Sequence, residues 1–358
     1  MIHTMITRCV RCLMPSTYPD ITFNDDGVCN HCLNYEKSEP IGEDRFLEKI
    51  HSKRGLQYDC VLGISGGKDS SYVAYLAKKK FGLRVLAVSY DFPFMVDLAR
   101  KNTKAVCEHL GLDLLVVKSR NNLEYNFERN NLISLAATGT TWGQCTFCHY
   151  GIEAVLYETA RSREIPFILS GVTNNEVWWN PGNRLSILAK RLKELSFEEK
   201  VRFGLSQSKA YIGLVDQRRQ FPIPGNSRFN VYKRAHAPSD GPETIPVFNY
   251  IEWDQDIIEK TLQEETGWQK PPKSLTWRYD CILEPLLDFT YKREFGISSA
   301  GLYLCGLIRS GGISREEALR LMEESEDQAR LDASMKTVLD FLEIPLPIQE
   351  EFFSTPKE

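Results

Sequence analysis

Tyr58-Asp-Cys-Val-Leu-Gly-Ile64 is followed directly by Ser65-Gly-Gly-Lys-Asp-Ser-Ser71, and then by a helical stretch, Tyr72–Phe81. The run that ends at Ile64 is short, apolar and bounded by glycine, which is typical of a buried strand. A glycine-rich turn between a strand and a helix is the context that a phosphate-binding loop needs. This stretch therefore predicts a strand, a phosphate loop and a helix in succession.

The alternation of strands and helices continues on the C-terminal side of this stretch. Further strands are expected over Arg84–Tyr90, Leu114–Lys118 and Ile165–Ser170, and helices over Val96–Leu110 and Glu153–Arg163. Strands that alternate with helices of this length favour a parallel sheet that is covered on both faces. The predicted fold class is therefore α/β, with a Rossmann-like parallel sheet and helices on both of its faces.

The glycine-rich turn supplies seven candidates for nucleotide binding: Ser65, Gly66, Gly67, Lys68, Asp69, Ser70 and Ser71. The two glycines let the backbone approach an anion closely, so that its N–H groups can surround the anion. The polar residues after them suit the first turn of a helix, whose positive end attracts phosphate, and Lys68 adds a positive charge. The turn is not a Walker A motif, because Leu62 and Asp69 stand where that motif needs Gly and Ser or Thr.

This loop resembles the PP-loop of the ATP pyrophosphatases, which split ATP between the α and β phosphates. The resemblance implies bound ATP and Mg²⁺, and a substrate oxygen that is adenylated before a nitrogen or sulfur nucleophile displaces AMP. It also implies catalytic roles for Lys68 and Asp69, with the loop holding the pyrophosphate leaving group. Residues 168–176 are similar in kind to a glycine-containing loop that the family has after its fourth strand, which implies that Gly171 contributes to nucleotide binding.

Four cysteines near the N-terminus, Cys9, Cys12, Cys29 and Cys32, have the spacing C-x₂-C-x₁₆-C-x₂-C. Each Cys-x-x-Cys pair can chelate one side of a tetrahedral ion while the intervening loop folds back. The pattern predicts a structural Zn²⁺ site with no open coordination position. His31 lies inside the second pair, and we expect it to face solvent rather than to bind the metal.

The segment around these cysteines resembles the start of the N-acetyl sugar amidotransferases. The matching residues are Arg8–Pro15 and Gly27–Cys32, with further matches at Cys148, Gly151-Ile152, Ile165-Pro166, Gly267-Trp268, Lys292–Ile297 and Ser314–Ala318. The resemblance implies that an N-acetyl sugar is adenylated on its amide oxygen and that ammonia then gives an amidine. It also implies a partner glutaminase that supplies the ammonia, since the chain has no glutaminase motif of its own. The run Trp277–Cys281 departs from the pattern of the family.

A second set of cysteines permits three interpretations. Cys145 and Cys148, together with Cys281, could ligate a [4Fe–4S] cluster, as in some PP-loop sulfurtransferases. They could instead be catalytic thiols that form a persulfide, which requires a low thiol pKa, or small apolar residues of the core. The first two interpretations favour an alternative function, an ATP-dependent sulfurtransferase that acts on tRNA or on a small molecule. The remaining cysteines are expected in the core: Cys60, Cys107 and Cys305.

The composition is that of an ordinary globular chain. Of 358 residues, 42% are apolar and 26% are charged, and the net charge is −4. These values exclude a disordered or fibrous chain and argue against a protein that coats nucleic acid non-specifically. The sequence contains no signal peptide and no run of about eighteen apolar residues. We therefore expect a cytoplasmic protein without a membrane span, in a reducing compartment where disulfides are rare.

Changes in composition and in the apolar pattern along the chain predict three parts. They are a Cys₄ zinc-binding domain over residues 1–45, a PP-loop ATP pyrophosphatase domain over 46–240 and a mainly helical region over 241–358. In the last part, helices are expected at Asp254–Thr266 and, after a capping box at Ser314, at Glu316–Glu324. A homodimer is compatible with this organisation. A non-catalytic zinc-binding adaptor would leave the phosphate loop unexplained.

Residues 183–235 are strongly basic, with twelve Lys or Arg against four Asp or Glu. Solvated charge on ordinary helices is one explanation of this excess. A phosphate-bearing substrate is the other: a sugar under the amidotransferase hypothesis, or tRNA under the sulfurtransferase hypothesis.

Overall fold

The computed structural model describes residues 6–37, 39–119, 122–138, 144–173, 193, 195–201, 204–205, 241–271 and 280–353. Most of the basic stretch 183–235, the loop residues after Thr173 and the run 277–279 lie outside the described residues. Within the described ranges, a parallel sheet is covered by helices on both faces, which confirms the predicted fold class.

The sheet has five strands in the order β3-β2-β1-β4-β5, and each neighbouring pair is parallel. The strands are β1 Cys60–Gly63, β2 Val85–Asp91, β3 Asp113–Lys118, β4 Phe167–Ser170 and β5 Glu243–Pro246. The first four lie where the sequence predicts them. The fifth was not predicted, and it carries the sheet beyond residue 240, where the sequence predicts that the ATP domain ends.

The helices of the described residues, in chain order, are α1 Asn30–Leu33, α2 Glu43–His51, α3 Lys68–Tyr75, α4 Asp97–Leu110, α5 Leu123–Thr138, α6 Thr146–Ser162, α7 Gln255–Glu265, α8 Glu284–Phe295, α9 Ser299–Ser310, α10 Arg315–Ser325, α11 Gln328–Phe341 and α12 Leu346–Phe353. A π-helical turn, Leu76–Lys80, continues α3. The predicted helices at residues 96–110, 254–266 and 316–324 are confirmed, and the Ser314 hydroxyl caps α10 by accepting the Glu317 N–H.

Alternate residues of the central strands face opposite sides of the sheet, as strand geometry requires. Cys60 and Leu62 of β1 pack with α2, α3, α4 and α7 on one face, while Val61 packs with α5, α6, α8 and α11 on the other. Because both faces are covered, the strands are apolar throughout rather than alternating. Cys60 and Cys107 lie in this core, as predicted.

The N-terminal cysteine segment packs against the C-terminal helices rather than against the sheet. Its four cysteines share one buried cluster with residues of α8, α9 and α10. Arg8 donates a hydrogen bond to the Gly296 carbonyl at 2.8 Å, and the Thr17 hydroxyl donates to the Phe295 carbonyl. The two ends of the chain therefore form one packed unit.

Candidate active site and metal centre

The phosphate loop lies at the carboxyl edge of the sheet, between β1 and β4. The chain after β1 crosses to one face of the sheet and the chain before β4 comes from the other, so this position is a topological switch point, where open α/β sheets bind ligands. The loop after β4 comes close: a Cβ atom at Gly171 would lie 3.1 Å from the Asp69 carbonyl carbon. The structure thus brings the two predicted glycine loops together.

The backbone of the loop depends on its glycines. Gly66 has a φ of +78°, and a Cβ atom there would overlap the carbonyl oxygen of Ala99 in α4. Gly67 caps α3, which begins at Lys68 rather than at Tyr72, so the first N–H groups of the helix face the loop. The Ser65 N–H donates a hydrogen bond across the loop to the Ser70 hydroxyl at 3.2 Å. The hydroxyl groups of the two serines are also hydrogen-bonded to each other.

Two features of the loop are compatible with a bound phosphate. The Ser71 hydroxyl is fully buried in the first turns of α3, and within the described part of the chain it has no hydrogen-bond partner. A helix N-terminus with unpaired N–H groups also attracts anions. The predicted loop residues therefore lie at a helix N-terminus, a position that is favourable for an anion.

Lys68 and Asp69 form an ion pair inside this site. Lys68 Nζ lies 2.7 Å from Asp69 Oδ2, and the lysine side chain is only 5% exposed. The second carboxylate oxygen, Asp69 Oδ1, accepts a hydrogen bond from the indole Nε1 of Trp253 at 2.6 Å. Lys68 Nζ also lies 5.2 Å from the centre of the Trp253 ring. In this structure the ammonium group of Lys68 is thus paired with the carboxylate of Asp69.

A second indole holds the other end of the loop. Trp268 Nε1 donates a hydrogen bond to the Gly66 carbonyl at 2.9 Å. Next to it, the side-chain amide of Asn102 donates to the Gln269 carbonyl. The sequence gives Gly267-Trp268 only as a match to the family and gives no role to Trp253. These contacts join residues about two hundred positions apart, which no local pattern reveals.

The segment 280–282 brings a further acid and a cysteine to the same edge. It runs antiparallel to residues 94–96, with Val96 N–H bonded to the Asp280 carbonyl and Ile282 N–H bonded to the Phe94 carbonyl. A Cβ atom at Gly67 would lie 3.8 Å from Asp280 Oδ2. The loop therefore has carboxylates of Asp69 and Asp280 close to it, and oxygen donors of this kind suit Mg²⁺.

Cys145 and Cys281 both lie close enough to Cys148 to interact with it electrostatically. Cys145 precedes α6 and its N–H donates to the buried carboxylate of Glu128 at 2.7 Å, while Cys148 lies in the first turn of the helix. Burial raises the pKa of the Cys148 thiol well above its usual value, and Cys145, Glu128 and Cys281 raise it further. A raised pKa is the opposite of what a nucleophilic thiol needs.

A buried acid on α5 adjoins the second cysteine set and was not predicted. The hydroxyls of Tyr90 and Ser119 both donate to the carboxylate of Glu124, which is 1% exposed. Burial and this carboxylate raise the pKa of Tyr90 above its usual range. Tyr90 also packs against Gly151, where a Cβ atom would lie 2.6 Å from the ring.

The predicted metal ligands, Cys9, Cys12, Cys29 and Cys32, converge on one point. Their sulfur atoms all lie within 4.8 Å of one another, and all four residues are buried. Among the described residues no other group of three or more His, Cys, Asp or Glu ligand atoms lies so close. Four thiols with no open position suit a single tetrahedral ion. His31 is exposed, as predicted.

Hydrogen bonds surround the cysteine cluster, and those among the thiols lower the pKa of Cys12 while they raise the pKa of Cys29 and of Cys32. The backbone N–H groups of Arg11, Cys12 and Cys29 donate to Cys9 Sγ, at 3.3 to 3.4 Å. Bonds from Cys29, Cys305 and Cys32 hold the pKa of Cys12 below its usual range. The Arg309 guanidinium of α9 lies 3.4 Å from Cys12 Sγ. Cys305 is in the core, as predicted, and in that part of the core it shares one buried cluster with the four predicted metal ligands.

Two protein-family models match parts of this chain. The model for NAD synthase matches residues 43–131, which contain the glycine-rich loop Ser65–Ser71 and β1 to β3. The model for the C-terminal domain of WbpG-like LPS biosynthesis proteins matches residues 274–357, which contain α8 to α12. The chain therefore has an NAD synthase-like PP-loop domain, which implies ATP and Mg²⁺, and a WbpG-like C-terminal domain. The models support an ATP-using enzyme without separating the sugar amidotransferases from other PP-loop enzymes.

Individual relatives agree with the first of these matches. An uncharacterized protein of Methanocaldococcus jannaschii is 34% identical over 116 residues, which are 31% of this chain and 42% of that protein. The NH₃-dependent NAD⁺ synthetase of Pyrococcus horikoshii is 34% identical over 96 residues, 25% of this chain and 36% of that enzyme. The matched region thus spans less than half of either relative.

Solved structures of synthetases overlap with larger parts of the chain, but only loosely. The NMN synthetase of Francisella tularensis covers 80% of this chain and 93% of its own, at 12% identity and a TM-score of 0.35. The NH₃-dependent NAD synthetase of Campylobacter jejuni covers 64% and 94%, at 15% identity and a TM-score of 0.30. Likeness at this level supports no functional inference. In the described parts of the chain, no helix is long and apolar enough to cross a bilayer.

Proposed function

We propose that this chain is an ATP-dependent amidotransferase that adenylates an N-acetyl sugar and transfers ammonia to it, with release of AMP and pyrophosphate. The observation that carries the proposal is the presence of two features in one chain. A glycine loop opens α3 at the switch point of an NAD synthase-like sheet, which fits ATP cleavage. The C-terminal domain is like that of LPS biosynthesis proteins, which fits a sugar substrate.

The reaction has two steps whose atoms balance. In the first, the amide oxygen of the N-acetyl group attacks the α phosphorus of ATP, and the bond to the β-phosphate oxygen breaks, so that pyrophosphate leaves. In the second, ammonia attacks the amide carbon, the carbon–oxygen bond breaks, and AMP leaves with the former amide oxygen. Ammonia loses two of its three protons to solvent or to a base, and a neutral amidine remains.

The chain's own groups have defined tasks in the first step. The N–H groups of Gly66 and Gly67 and the first turn of α3 bind the pyrophosphate as its negative charge develops. Lys68 adds a positive charge close to the loop. Asp69, supported by Asp280, would hold Mg²⁺, which neutralises phosphate charge when it is bound. Gly171 allows the loop after β4 to close against α3.

Ammonia is the proposed nucleophile, supplied by a separate glutaminase. The name of the Pyrococcus enzyme, an NH₃-dependent synthetase, supports nitrogen transfer in a related domain. A phosphate-bearing sugar suits the basic residues within 183–235. We also propose that residues 1–45 form the zinc domain with Cys9, Cys12, Cys29 and Cys32 as ligands, 46–240 the ATP domain and 241–358 a mainly helical region that contributes β5.

The nitrogen assignment is tested with labelled ammonium. The purified chain is incubated with Mg·ATP, a set of nucleotide-linked N-acetyl sugars and nitrogen-15 ammonium, with sulfide as the competing nucleophile. We expect AMP and pyrophosphate in equal amounts, together with a sugar product that has gained nitrogen-15 in place of its amide oxygen. A product that contains sulfur, or nucleotide cleavage to ADP, contradicts the proposal.

An ATP-dependent sulfurtransferase is the second candidate, and one observation favours it. The antiparallel contact between residues 280–282 and 94–96 brings Cys281 near Cys148 and Cys145, although Cys281 is far from that pair in sequence. A [4Fe–4S] cluster is larger than a single ion, so its thiolates stand further apart than those of the zinc centre. Iron and sulfide in anaerobically purified protein would support this candidate. Zinc alone, with full activity of Cys145→Ser, would exclude both cluster and thiol chemistry.

A further inference from the structure

Two tryptophans on either side of α7 reach the ATP loop from the C-terminal part of the chain. Trp253 precedes the helix and Trp268 follows it. Each uses its indole N–H: Trp268 Nε1 lies 2.9 Å from the Gly66 carbonyl, and Trp253 Nε1 lies 2.6 Å from Asp69 Oδ1. Helix α7 itself packs against α3, so both indoles flank one support that is packed on the helix of the loop.

The two contacts differ in what they hold. Trp268 bonds to a backbone carbonyl and therefore fixes the course of the loop. Trp253 bonds to a side chain and therefore fixes the orientation of a carboxylate. Lys68 takes the other oxygen of that carboxylate at 2.7 Å, so Asp69 is held from both sides. An ionised carboxylate has about four lone-pair sites, so each oxygen keeps one for a further ligand.

We propose that Trp253 is a positioning residue for Mg²⁺ binding: its N–H turns the Asp69 carboxylate so that the free lone pairs face the nucleotide. The inference rests on the proposed ATP site. Carboxylates that bind metals are commonly held by such second contacts, whose removal weakens metal affinity by roughly 10- to 100-fold. The ring of Trp253 has a separate task, because it lies over Lys68 at 5.2 Å and packs in the core.

Trp253→Phe separates the two tasks, because phenylalanine keeps a ring over Lys68 and loses only the N–H donor. Binding of α,β-methylene-ATP, which cannot be cleaved between its α and β phosphates, is measured by calorimetry with and without Mg²⁺. Mn²⁺ affinity is measured separately by electron paramagnetic resonance in the presence of the same nucleotide. We expect the Mn²⁺ affinity and the Mg²⁺-dependent part of nucleotide binding to fall about 10- to 100-fold, with metal-free binding unchanged.

Trp268→Phe is the matched control. It removes the same indole N–H from the same support, but the lost bond is to the backbone, so nucleotide binding should weaken with and without metal alike. A second check is a double-mutant cycle, in which Trp253→Phe should have no further effect on Mn²⁺ affinity in an Asp69→Asn chain. If Trp253→Phe loses the wild-type melting profile, 3-benzothienylalanine, an isostere of tryptophan that lacks only the indole N–H, is incorporated at position 253 for the same comparison.

The outcomes separate this inference from the function on which it rests. If the wild-type chain binds no nucleotide, the proposed ATP site is wrong and the inference falls with it. If the wild-type chain binds Mg·nucleotide and Trp253→Phe has the same metal dependence, the role of Trp253 is refuted while the ATP site stands. Equal weakening with and without metal would make Trp253 a packing residue and would also refute the inference.

Discussion

Asp59, at the amino end of β1, is a buried carboxylate that two arginines share. It accepts bonds from Arg84 at 2.7 Å and from Arg54 at 3.0 Å, and its side chain is 2% exposed. Burial alone would raise its pKa, but the bonds from Arg84 and Arg54 outweigh burial and hold the pKa at about 2. The carboxylate therefore contributes stability above its unfolded pKa of about 4.

The low pKa predicts how stability depends on pH. As pH falls from about 5 to about 2, protonation of Asp59 removes its bonds, which should cost about 2 kcal/mol of unfolding free energy. Asp59→Asn should be destabilised at pH 7 and should show a correspondingly smaller loss towards low pH. The measurement is urea unfolding of both chains across this range, with the exposed Asp97→Asn as control. Parallel pH profiles for wild type and Asp59→Asn would contradict the pairing.

Lys68 is the second residue whose charge can be tested alone. Lys68→Ala removes the charge beside the phosphate loop and leaves Asp69 held from one side only. We expect pyrophosphate release to fall by about 100-fold or more, because a single preorganised charge at a developing anion has this value. Lys79→Ala, an exposed lysine shortly after α3, should leave release unchanged. Turnover that survives in Lys68→Ala would refute the role of the loop in ATP cleavage.

At the scale of elements, α7 is the support that carries both loop-binding tryptophans. Its N-cap is Asp254, whose Oδ1 accepts the Ile257 N–H at 2.9 Å. Asp254→Ala should lower the free energy of unfolding by about 1 kcal/mol, the usual value of an N-cap. Asp256 lies in the first turn but makes no capping bond, so Asp256→Ala should lower the free energy of unfolding by only a few tenths of a kcal/mol. Chemical unfolding compares the two, and equal effects would contradict the cap.

Helix α9 packs against the predicted metal centre, so we expect its stability to depend on the bound metal. Its Cys305 is fully buried in the cluster that the four metal-site cysteines share, and its Arg309 reaches Cys12. Removing the metal with a chelator should therefore raise amide exchange across α9 by at least tenfold, while α4, which packs on the sheet, keeps its protection. Hydrogen exchange followed by mass spectrometry measures both. Unchanged protection in α9 would show that the stability of the helix is independent of the four-cysteine cluster.

The elements also show what the sequence could and could not predict. Strands β1, β2 and β4 were predictable because they are mostly buried and apolar, and β3, whose residues are exposed or half-buried, was predictable from its apolar run Leu114–Val117. Strand β5 is four residues long and ends in Pro246, so it has no such run. Helix α5 was missed for a different reason: its buried residues include the polar Glu124, Glu128, Asn131 and Ser134. A helix that turns polar residues inward lacks the amphipathic pattern that predicts helices.

At the scale of the whole molecule, the contacts that the sequence did not predict come from residues after β5 that fold back over the sheet. The glycine loop and the four N-terminal cysteines are local motifs. The sequence therefore predicted directly that the loop joins a strand to a helix and that the four cysteines come together. The indoles of Trp253 and Trp268, and the approach of Cys281 to Cys148, depend on how the C-terminal region folds back over the sheet. Contacts of that kind follow from tertiary packing and leave no periodicity or spacing in the sequence.

The central claim is that this chain activates an amide oxygen by adenylation, and an oxygen label tests it most directly. A nucleotide-linked N-acetyl sugar carrying oxygen-18 in its acetamido carbonyl is incubated with the chain, Mg·ATP and ammonium, and the nucleotide products are analysed by mass spectrometry. We expect unlabelled pyrophosphate and AMP that carries the oxygen-18. AMP without the label, or cleavage of ATP to ADP and phosphate, would contradict the claim.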